Sequence, residues 1–189
     1  MLVPAAAVHV LRHRTERAII RHANTLRTLG GFLRSVLDRF LPFTGRTEKL
    51  ADVFNYLHIK NLYTTSGQPS ESQFGLIKEA GYKTVVNLAP TSKLENSVVE
   101  EAQILKALGL EYIHIPVDFK NPTEEDFQQF CAIIDSREGV WVHCAANMRV
   151  SAFTYRYRTE VLEENAAHAR ADLQKIWEPL GVWSKFIGS

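Results

Sequence analysis

The sequence predicts an α/β fold with a mostly parallel central sheet flanked by helices, preceded by an N-terminal amphipathic helical extension. Two observations carry this prediction. From residue 47 onward, short β-rich runs alternate with stretches of helical periodicity, a pattern typical of parallel α/β domains. At the same place the charge changes sign, which marks residues 1–46 as the extension and residues 47–189 as the α/β domain.

The β-rich runs predict strands at Asn61–Thr65, Thr84–Leu88, Tyr112–Val117 and Val140–His143. The first is expected at an edge of the sheet, and the last, which is apolar, is expected to be buried. Helices are predicted from Ser70 to about Ala80, from Glu95 to Leu108 and from Thr123 to about Asp135. Capping boxes at Ser70 and Thr123 open two of these helices. The last helices are expected to close the core with Trp177, Trp183, Phe186 and Ile187.

Residues 1–46 are strongly basic. They contain eight arginines and no lysine, and their only acidic residues are Glu16 and Asp38, so their net charge is +6. The rest of the chain has a net charge of −5. Apolar residues recur at helical spacing within the basic segment, and Pro42 and Gly45 end the predicted helix. The apolar stripe consists of Leu26, Leu29, Leu33, Val36, Leu37 and Phe40.

Three interpretations of this extension are open. It docks on the neighbouring domain, it lies on an anionic membrane surface or a partner, or it is an arginine-rich organelle-targeting segment. The expected location is therefore cytoplasmic, with a mitochondrial or other organellar location as the alternative. No stretch of the chain has eighteen consecutive apolar residues, so no membrane-spanning segment is predicted.

Composition excludes several functional classes. The chain has 22 basic and 21 acidic residues, which gives no support for nucleic-acid binding through overall charge. Its two cysteines, Cys131 and Cys144, are too few for a disulfide scaffold and fit a reducing compartment. Cys131 lies in an apolar helical stripe and is interpreted as a core residue. His9 and His13 have no third ligand nearby, so no metal site is predicted.

The segment from His143 to Ser151 places a thiol at a strand end, then a short loop, then Arg149 and a helix. Backbone N–H groups of such a loop, together with the positive helix end and Arg149, form a site for a phosphate-sized anion. The same field favours a reactive Cys144 thiolate. The predicted anion-binding residues are Ala145, Ala146, Asn147, Met148 and Arg149. Because the loop lacks glycine, Asn147 is the expected left-handed position.

These residues resemble the cysteine-dependent protein tyrosine and dual-specificity phosphatases. The similarity is greatest to small bacterial tyrosine-phosphatase-like proteins and to the phosphatase-like domain of beta-lactamase-hydrolase-like proteins. It covers roughly Leu57 to Ile187. The segments that carry it are Thr65–Pro69, Ala80–Tyr82 with Val86–Leu88, Ile113–Val117, the Cys144 loop and Ile176–Trp177.

The resemblance implies a role for each site residue. Cys144 attacks phosphorus, Arg149 clamps the equatorial oxygens, and Ser151 assists breakdown of the cysteinyl phosphate. His143 orients the loop and modulates the thiolate. Asp118, which follows a predicted strand at the carboxyl edge of the sheet, is the candidate acid for the leaving oxygen. The implied substrate is a phosphorylated protein or a small phosphate ester, with no cofactor.

The loop departs from the usual phosphatase spacing. Four residues separate Cys144 from Arg149, whereas phosphatases of this type usually have five, and four is the length found in rhodanese-type sulfurtransferases. Two alternatives therefore stand beside phosphate hydrolysis: sulfur transfer through a Cys144 persulfide, and a catalytically inactive phosphate-binding module.

Overall fold

A five-stranded sheet forms the centre of the fold in the computed structural model, which describes residues 22–34, 36, 48–92, 98 and 100–188. The strands are β1 (Leu57–His58), β2 (Thr64–Ser66), β3 (Thr84–Asn87), β4 (Glu111–His114) and β5 (Val140–His143). Their spatial order is β1-β2-β5-β3-β4, in which only the β1–β2 pair is antiparallel. The predicted α/β fold with a mostly parallel sheet is confirmed.

The described helices flank this sheet. They are α1 (residues 22–34), α2 (Glu71–Glu79), α3 (Glu101–Ala107), α4 (Glu124–Asp135), α5 (Met148–Arg156), α6 (Ala166–Ile176) and α7 (Val182–Phe186). A π-helical turn at Tyr157–Val161 continues α5. Both predicted capping boxes are present, at Ser70 and Thr123. None of the described helices is both long and apolar enough to cross a bilayer.

Three predicted elements differ from the structure. The first predicted strand lies later in the chain, as β2, and is internal because it pairs with β1 on one side and β5 on the other. The helix predicted from Glu95 begins at Glu101, since Glu100 has a φ of 59° that is incompatible with an α-helix. The third predicted strand, which is β4 of the structure, ends at His114 and not at Val117. Pro116 follows and has no N–H to donate to a neighbouring strand.

Successive residues of the central strands face opposite sides of the sheet and build two cores. Val85 and Trp141 pack with α2 and α3 on one side. Val86 and Val142 pack with α4, α5 and the C-terminal helices on the other. As predicted, the second core is closed by the buried residues Trp177, Trp183 and Ile187 and the half-buried Phe186.

Helix α1 docks on the end of α6 through polar side chains. Thr28 Oγ1 is fully buried and donates to the carbonyl of Ile176 at 2.6 Å, and Asn24 Nδ2 donates to that of Gln174 at 2.9 Å. Arg27 donates to the carbonyl of Lys175 at 2.7 Å. The last carbonyls of a helix have no partner within it, so α1 supplies the donors that they lack.

The leucines of the predicted apolar stripe lie on the outer side of α1. Leu26, Leu29 and Leu33 are 69%, 46% and 64% exposed. The expected helix end at Pro42 and Gly45 lies outside the described residues, as do Leu37 and Phe40. The leucine stripe is therefore not the surface by which the described part of the extension docks.

Candidate active site

The loop that follows β5 is fixed by the segment that follows β2. Cys144 is 1% exposed, and its N–H donates to the carbonyl of Ser66 at 3.3 Å. The N–H of Gln68 donates to the carbonyl of Ala145 at 3.2 Å. Gly67 lies so close that a Cβ there would be 3.0 Å from the Ala145 oxygen and 2.7 Å from the ring of Phe54. Glycine is therefore required for this approach.

Two asparagines hold the other end of the loop. Asn147 is fully buried with a φ of 65°, which confirms the predicted left-handed position. Its side-chain amide donates to the carbonyl of Asn55 at 2.7 Å and to Thr65 Oγ1 at 3.0 Å. In return, Asn55 Nδ2 donates to the carbonyl of Ala146 at 3.0 Å. The carbonyls of Ala145 and Ala146 therefore both accept hydrogen bonds from residues outside the loop.

The backbone N–H groups of the loop are left available. Within the part of the chain that the structure describes, neither the N–H of Ala145 nor that of Ala146 donates to an acceptor. Helix α5 begins at Met148, so its first N–H groups also have no partner inside the helix. Clustered N–H groups at the positive end of a helix bind anions such as phosphate. The structure therefore leaves N–H donors in the loop that directly follows Cys144, and anion binding there stays a prediction.

Arg149 lies in the first turn of α5 and is 3% exposed. Its guanidinium carbon is 5.1 Å from the ring centroid of Phe119, a cation–π contact. Phe119 directly follows Asp118, which is exposed and whose Oδ1 accepts the N–H of Lys120 at 2.9 Å. This contact places Arg149 beside the loop that carries the candidate acid.

Ser151 joins α5 to the C-terminal segment. Its hydroxyl donates to the carbonyl of Met148 at 3.0 Å and accepts from Trp177 Nε1 at 3.2 Å. The hydroxyl proton is therefore engaged with the helix backbone. The role of Ser151 in breaking down a cysteinyl phosphate stays a prediction.

His143 is fully buried at the end of β5, and its Nε2 lies 3.1 Å from Oε1 of Glu101. Glu101 is buried at the start of α3, and sequence reasoning gave it no role. Burial raises the pKa of this carboxyl, but the charge of His143 and three hydrogen bonds outweigh that effect and hold the pKa below its ordinary value. One feature of the sequence could have indicated a role for Glu101. It lies four residues before Leu105, which places a carboxylate on the same, buried side of the helix.

Several other side chains are excluded from the site. Burial raises the pKa of the Cys131 thiol to about 11, which fits its interpretation as an unreactive, partly buried core residue. Arg156 pairs with Glu160 and Glu124 and stacks on Phe127 at 3.9 Å, so it does not extend a substrate surface. Among the described residues, no group of three His, Cys, Asp or Glu side chains is arranged to hold a metal.

Comparison with known proteins agrees with this geometry. Residues 48–178 match the model of a family described as "DSP-PTPase phosphatase fused to NAD+ Kinase". A crystal structure of a putative phosphatase (DUF442) from Shewanella putrefaciens CN-32 is 32% identical with a TM-score of 0.64. That match covers 74% of this chain and 92% of the bacterial protein.

More distant structures share the fold. The core catalytic domain of the PP-IP phosphatase SIW14 from S. cerevisiae is 15% identical with a TM-score of 0.62, and the match covers 72% of this chain and 85% of that domain. P. aeruginosa TpbA, solved with pTyr, is 18% identical with a TM-score of 0.53, covering 68% and 76%.

Curated relatives match over a shorter stretch. A beta-lactamase hydrolase-like protein of Xylella fastidiosa is 36% identical over 87 residues, which is 44% of this chain. The chain spans about a fifth of the length of that relative, which matches over 20% of its own sequence. With the family model covering most of the α/β domain and the Shewanella protein matching nearly end to end, the chain belongs to the DSP-PTPase family of cysteine-based dual-specificity and tyrosine phosphatases.

Proposed function

We propose that this chain hydrolyses phosphate monoesters through a phosphocysteine intermediate on Cys144. One observation carries the proposal. The loop from Ala145 to Asn147 has its alanine carbonyls bonded to the scaffold, while the N–H groups of Ala145 and Ala146 donate to nothing in the described chain. A site with fixed N–H donors around a buried thiol suits an anion that the thiol attacks.

The proposed reaction has two steps. The Cys144 thiolate attacks phosphorus, an S–P bond forms, and the O–P bond breaks as Asp118 donates a proton to the leaving oxygen. Water then attacks the phosphorus and gives a proton to Asp118, and the S–P bond breaks to release phosphate and the thiolate. Arg149 binds the equatorial oxygens in both steps through its planar pair of donors.

The proposed substrate is a phosphorylated protein or a small phosphate ester. The structural neighbours are associated with different phosphorylated groups, since one is a PP-IP phosphatase and another was solved in complex with pTyr. The side chains of this loop, from Ala145 to Met148, carry no charge. Recognition is therefore proposed to centre on the phosphoryl group, bound by backbone N–H donors and Arg149.

Parallel turnover assays test this function against the two alternatives. The protein is incubated with an aryl phosphate in one assay and with thiosulfate plus cyanide in another. We expect release of inorganic phosphate and no thiocyanate. Thiocyanate without phosphate would instead establish sulfur transfer, and phosphate binding without either product would establish an inactive binding module.

The acid role of Asp118 predicts a dependence on the leaving group. Asp118→Asn keeps the oxygen that accepts the N–H of Lys120, so the turn is preserved while the proton donor is lost. We expect kcat/KM to fall by about 10²-fold for a poor leaving group and by less than about tenfold for a good one, because only the poor one needs protonation.

The measurement is a series of aryl phosphates compared between Asp118→Asn and wild type. Glu125→Gln, an exposed carboxylate in the first turn of α4, serves as the control and is expected to leave the series unchanged. Equal slowing of every ester by Asp118→Asn would remove this residue from the acid role.

For the extension we propose contact with an anionic membrane surface by a protein located in the cytoplasm. The described part of the extension turns Leu26, Leu29 and Leu33 outward on one side of α1, and residues 1–46 have a net charge of +6. Amphipathic basic helices bind anionic lipid through these two properties together. An organelle-targeting role is the alternative for the same segment.

Deleting residues 1–46 separates this contact from the fold and the chemistry. We expect a folded domain with turnover within about threefold of wild type, and loss of binding to phosphatidylserine-containing vesicles. We also expect a lower melting temperature, because the last carbonyls of α6 lose donors worth about 1 kcal/mol each. Thr28→Val, which removes one of these donors, is expected to lower the melting temperature less and to keep vesicle binding. An insoluble or unfolded 47–189 fragment would contradict the proposed domain boundary.

A further inference from the structure

The Asp118 loop, residues 118–122, joins two firmly held segments. Val117, before it, is fully buried, and Thr123, after it, caps α4. Inside the loop, the N–H of Asn121 donates to the carbonyl of Asp118 at 3.1 Å. The Asp118 side chain is exposed, so its position depends on what holds the loop.

A hydrogen bond from α7 reaches this loop. Trp183 Nε1 donates to the carbonyl of Phe119 at 2.8 Å, and Trp183 is 1% exposed. Within the part of the chain that the structure describes, this is the hydrogen bond that ties residues 118–122 to another helix or strand, since the others lie inside the loop. The last helix therefore sets the position of the main chain directly after Asp118.

The side chain of Phe119 is enclosed by aromatic and cationic groups. Its ring centroid lies 5.3 Å from that of Trp183 and 5.9 Å from that of Trp177. The guanidinium of Arg149 lies 5.1 Å from the same ring. Phe119 thus links the residue next to the proposed acid to the arginine that is proposed to bind the phosphoryl oxygens.

Helix α7 is itself fixed on α5, the helix that carries Arg149. The ring of Phe186 stacks on that of Phe153 in α5, with centroids 4.9 Å apart. Trp183 packs on the same Phe153 at 6.3 Å. Close-packed aromatic side chains of this kind have little room to move. Because α7 rests on α5, the hydrogen bond from Trp183 fixes the Asp118 loop relative to Arg149.

We propose that Trp183 is a positioning residue for the proposed acid: its indole N–H fixes the carbonyl of Phe119 and so holds Asp118 within reach of the leaving oxygen. Trp183 touches neither the substrate nor the reacting phosphorus in this scheme, and it acts through the main chain of Phe119. A general acid works only within hydrogen-bond distance of the atom that it protonates, so a small displacement of the loop is costly. The inference rests on the proposed function in taking Asp118 as the acid.

The kinetic test uses Trp183→Phe, which removes the N–H and keeps an aromatic ring beside Phe119. We expect kcat/KM to fall by about tenfold for an aryl phosphate with a poor leaving group and by less than about threefold for one with a good leaving group. Trp177→Phe is the matched control. It removes the same N–H from the other tryptophan that packs on Phe119, but that N–H donates to Ser151. Its effect is expected to be equal for the two esters.

The same substitution in the Asp118→Asn background separates positioning from a general loss of packing. If Trp183 acts through Asp118, Trp183→Phe is expected to change kcat/KM for the poor leaving group by less than about twofold once the acid is absent. A packing defect would slow turnover by about tenfold in both backgrounds. That result, or equal slowing of both esters by Trp183→Phe, would overturn the proposal.

Hydrogen exchange gives a readout that does not use turnover. The N–H of Asn121 is bonded inside the loop, so its exchange rate reports how often the loop opens. We expect Trp183→Phe to speed this exchange by about fivefold, the effect of losing one hydrogen bond, and Trp177→Phe to leave it within about twofold. Unchanged exchange in Trp183→Phe would contradict the proposal.

A second variant keeps the test valid if Trp183→Phe fails to fold. Replacement of Trp183 with benzothienylalanine keeps the size of the ring system and puts sulfur in place of the N–H, so the same results are expected. A leaving-group effect in Asp118→Asn without one at Trp183 would refute this inference alone. A protein that shows the exchange difference but releases no phosphate would refute the proposed function and leave the hold of Trp183 on the loop standing.

Discussion

Cys144→Ser is expected to abolish release of phosphate while the protein still binds phosphate or vanadate. A serine hydroxyl without an adjacent base is a poor nucleophile, so the loss is expected to be about 10⁴-fold or more. In the proposed site the anion is bound by backbone N–H groups and Arg149, which the substitution does not remove. The measurements are kcat on an aryl phosphate and the Kd of the oxyanion by calorimetry.

Cys131→Ser is the matched control, because it makes the same chemical change at the other cysteine. Cys131 lies on α4, and burial raises its thiol pKa to about 11, so we expect near wild-type turnover. Persistence of activity in Cys144→Ser would show that another group performs the attack. Loss of anion binding together with turnover would show that the thiol itself shapes the loop.

Sequence patterns predicted the fold well where local signals agree with tertiary packing. The capping boxes at Ser70 and Thr123 begin their helices where predicted, because side-chain caps are local interactions. The buried strand Val140–His143 was also predicted correctly, since a short apolar run in a parallel sheet is buried on both sides.

The differences arise where position depends on partners distant in the sequence. The strand predicted at Asn61–Thr65 was placed at an edge, yet Leu57–His58 adds a further strand outside it. Two residues of strand leave too little periodicity to detect. The start of α3 depends on the left-handed Glu100, and a glutamate gives no advance sign of a positive φ.

The sequence suggested the reactive residues of the candidate site, whose roles stay predictions, but not the residues that support them. The order of His143, Cys144, Arg149 and the helix revealed the thiol loop, because that chemistry lies within nine consecutive residues. Asn55 and Glu101 are 92 and 42 residues from their partners in the loop and strand, so no local pattern connects them. Their roles became visible only when the sheet brought the segments together.

The leucine stripe of the extension shows why periodicity alone does not identify a docking surface. Helix α1 contacts α6 through Thr28 and Asn24, whose donors satisfy carbonyls at the end of that helix. The leucine pattern gave no indication of these two contacts, because their donors are polar and the partner carbonyls lie 148 and 150 residues away.

Arg149→Lys is expected to lower kcat/KM for an aryl phosphate by about 10²–10³-fold, the usual effect of removing one preorganised donor to a developing anion. Lysine keeps the charge but cannot reproduce the planar pair of donors that binds two phosphoryl oxygens. It also weakens the stacking on Phe119, 5.1 Å from the guanidinium, and so the contact between α5 and the Asp118 loop. The shorter Cys144–Arg149 spacing makes this a strict test, because the proposal requires Arg149 to bind the anion from the first turn of α5.

Arg156→Lys is the matched control for this substitution, because Arg156 is also buried and also stacks on a ring, that of Phe127 at 3.9 Å. Its guanidinium is bonded to Glu160 and Glu124, so the change is expected to lower the melting temperature and leave kcat/KM within about threefold. Comparison of the two variants separates loss of a buried arginine from loss of the phosphoryl clamp. Equal, small kinetic effects in both would mean that the guanidinium of Arg149 serves the packing of Phe119 and that the loop N–H groups bind the anion without it.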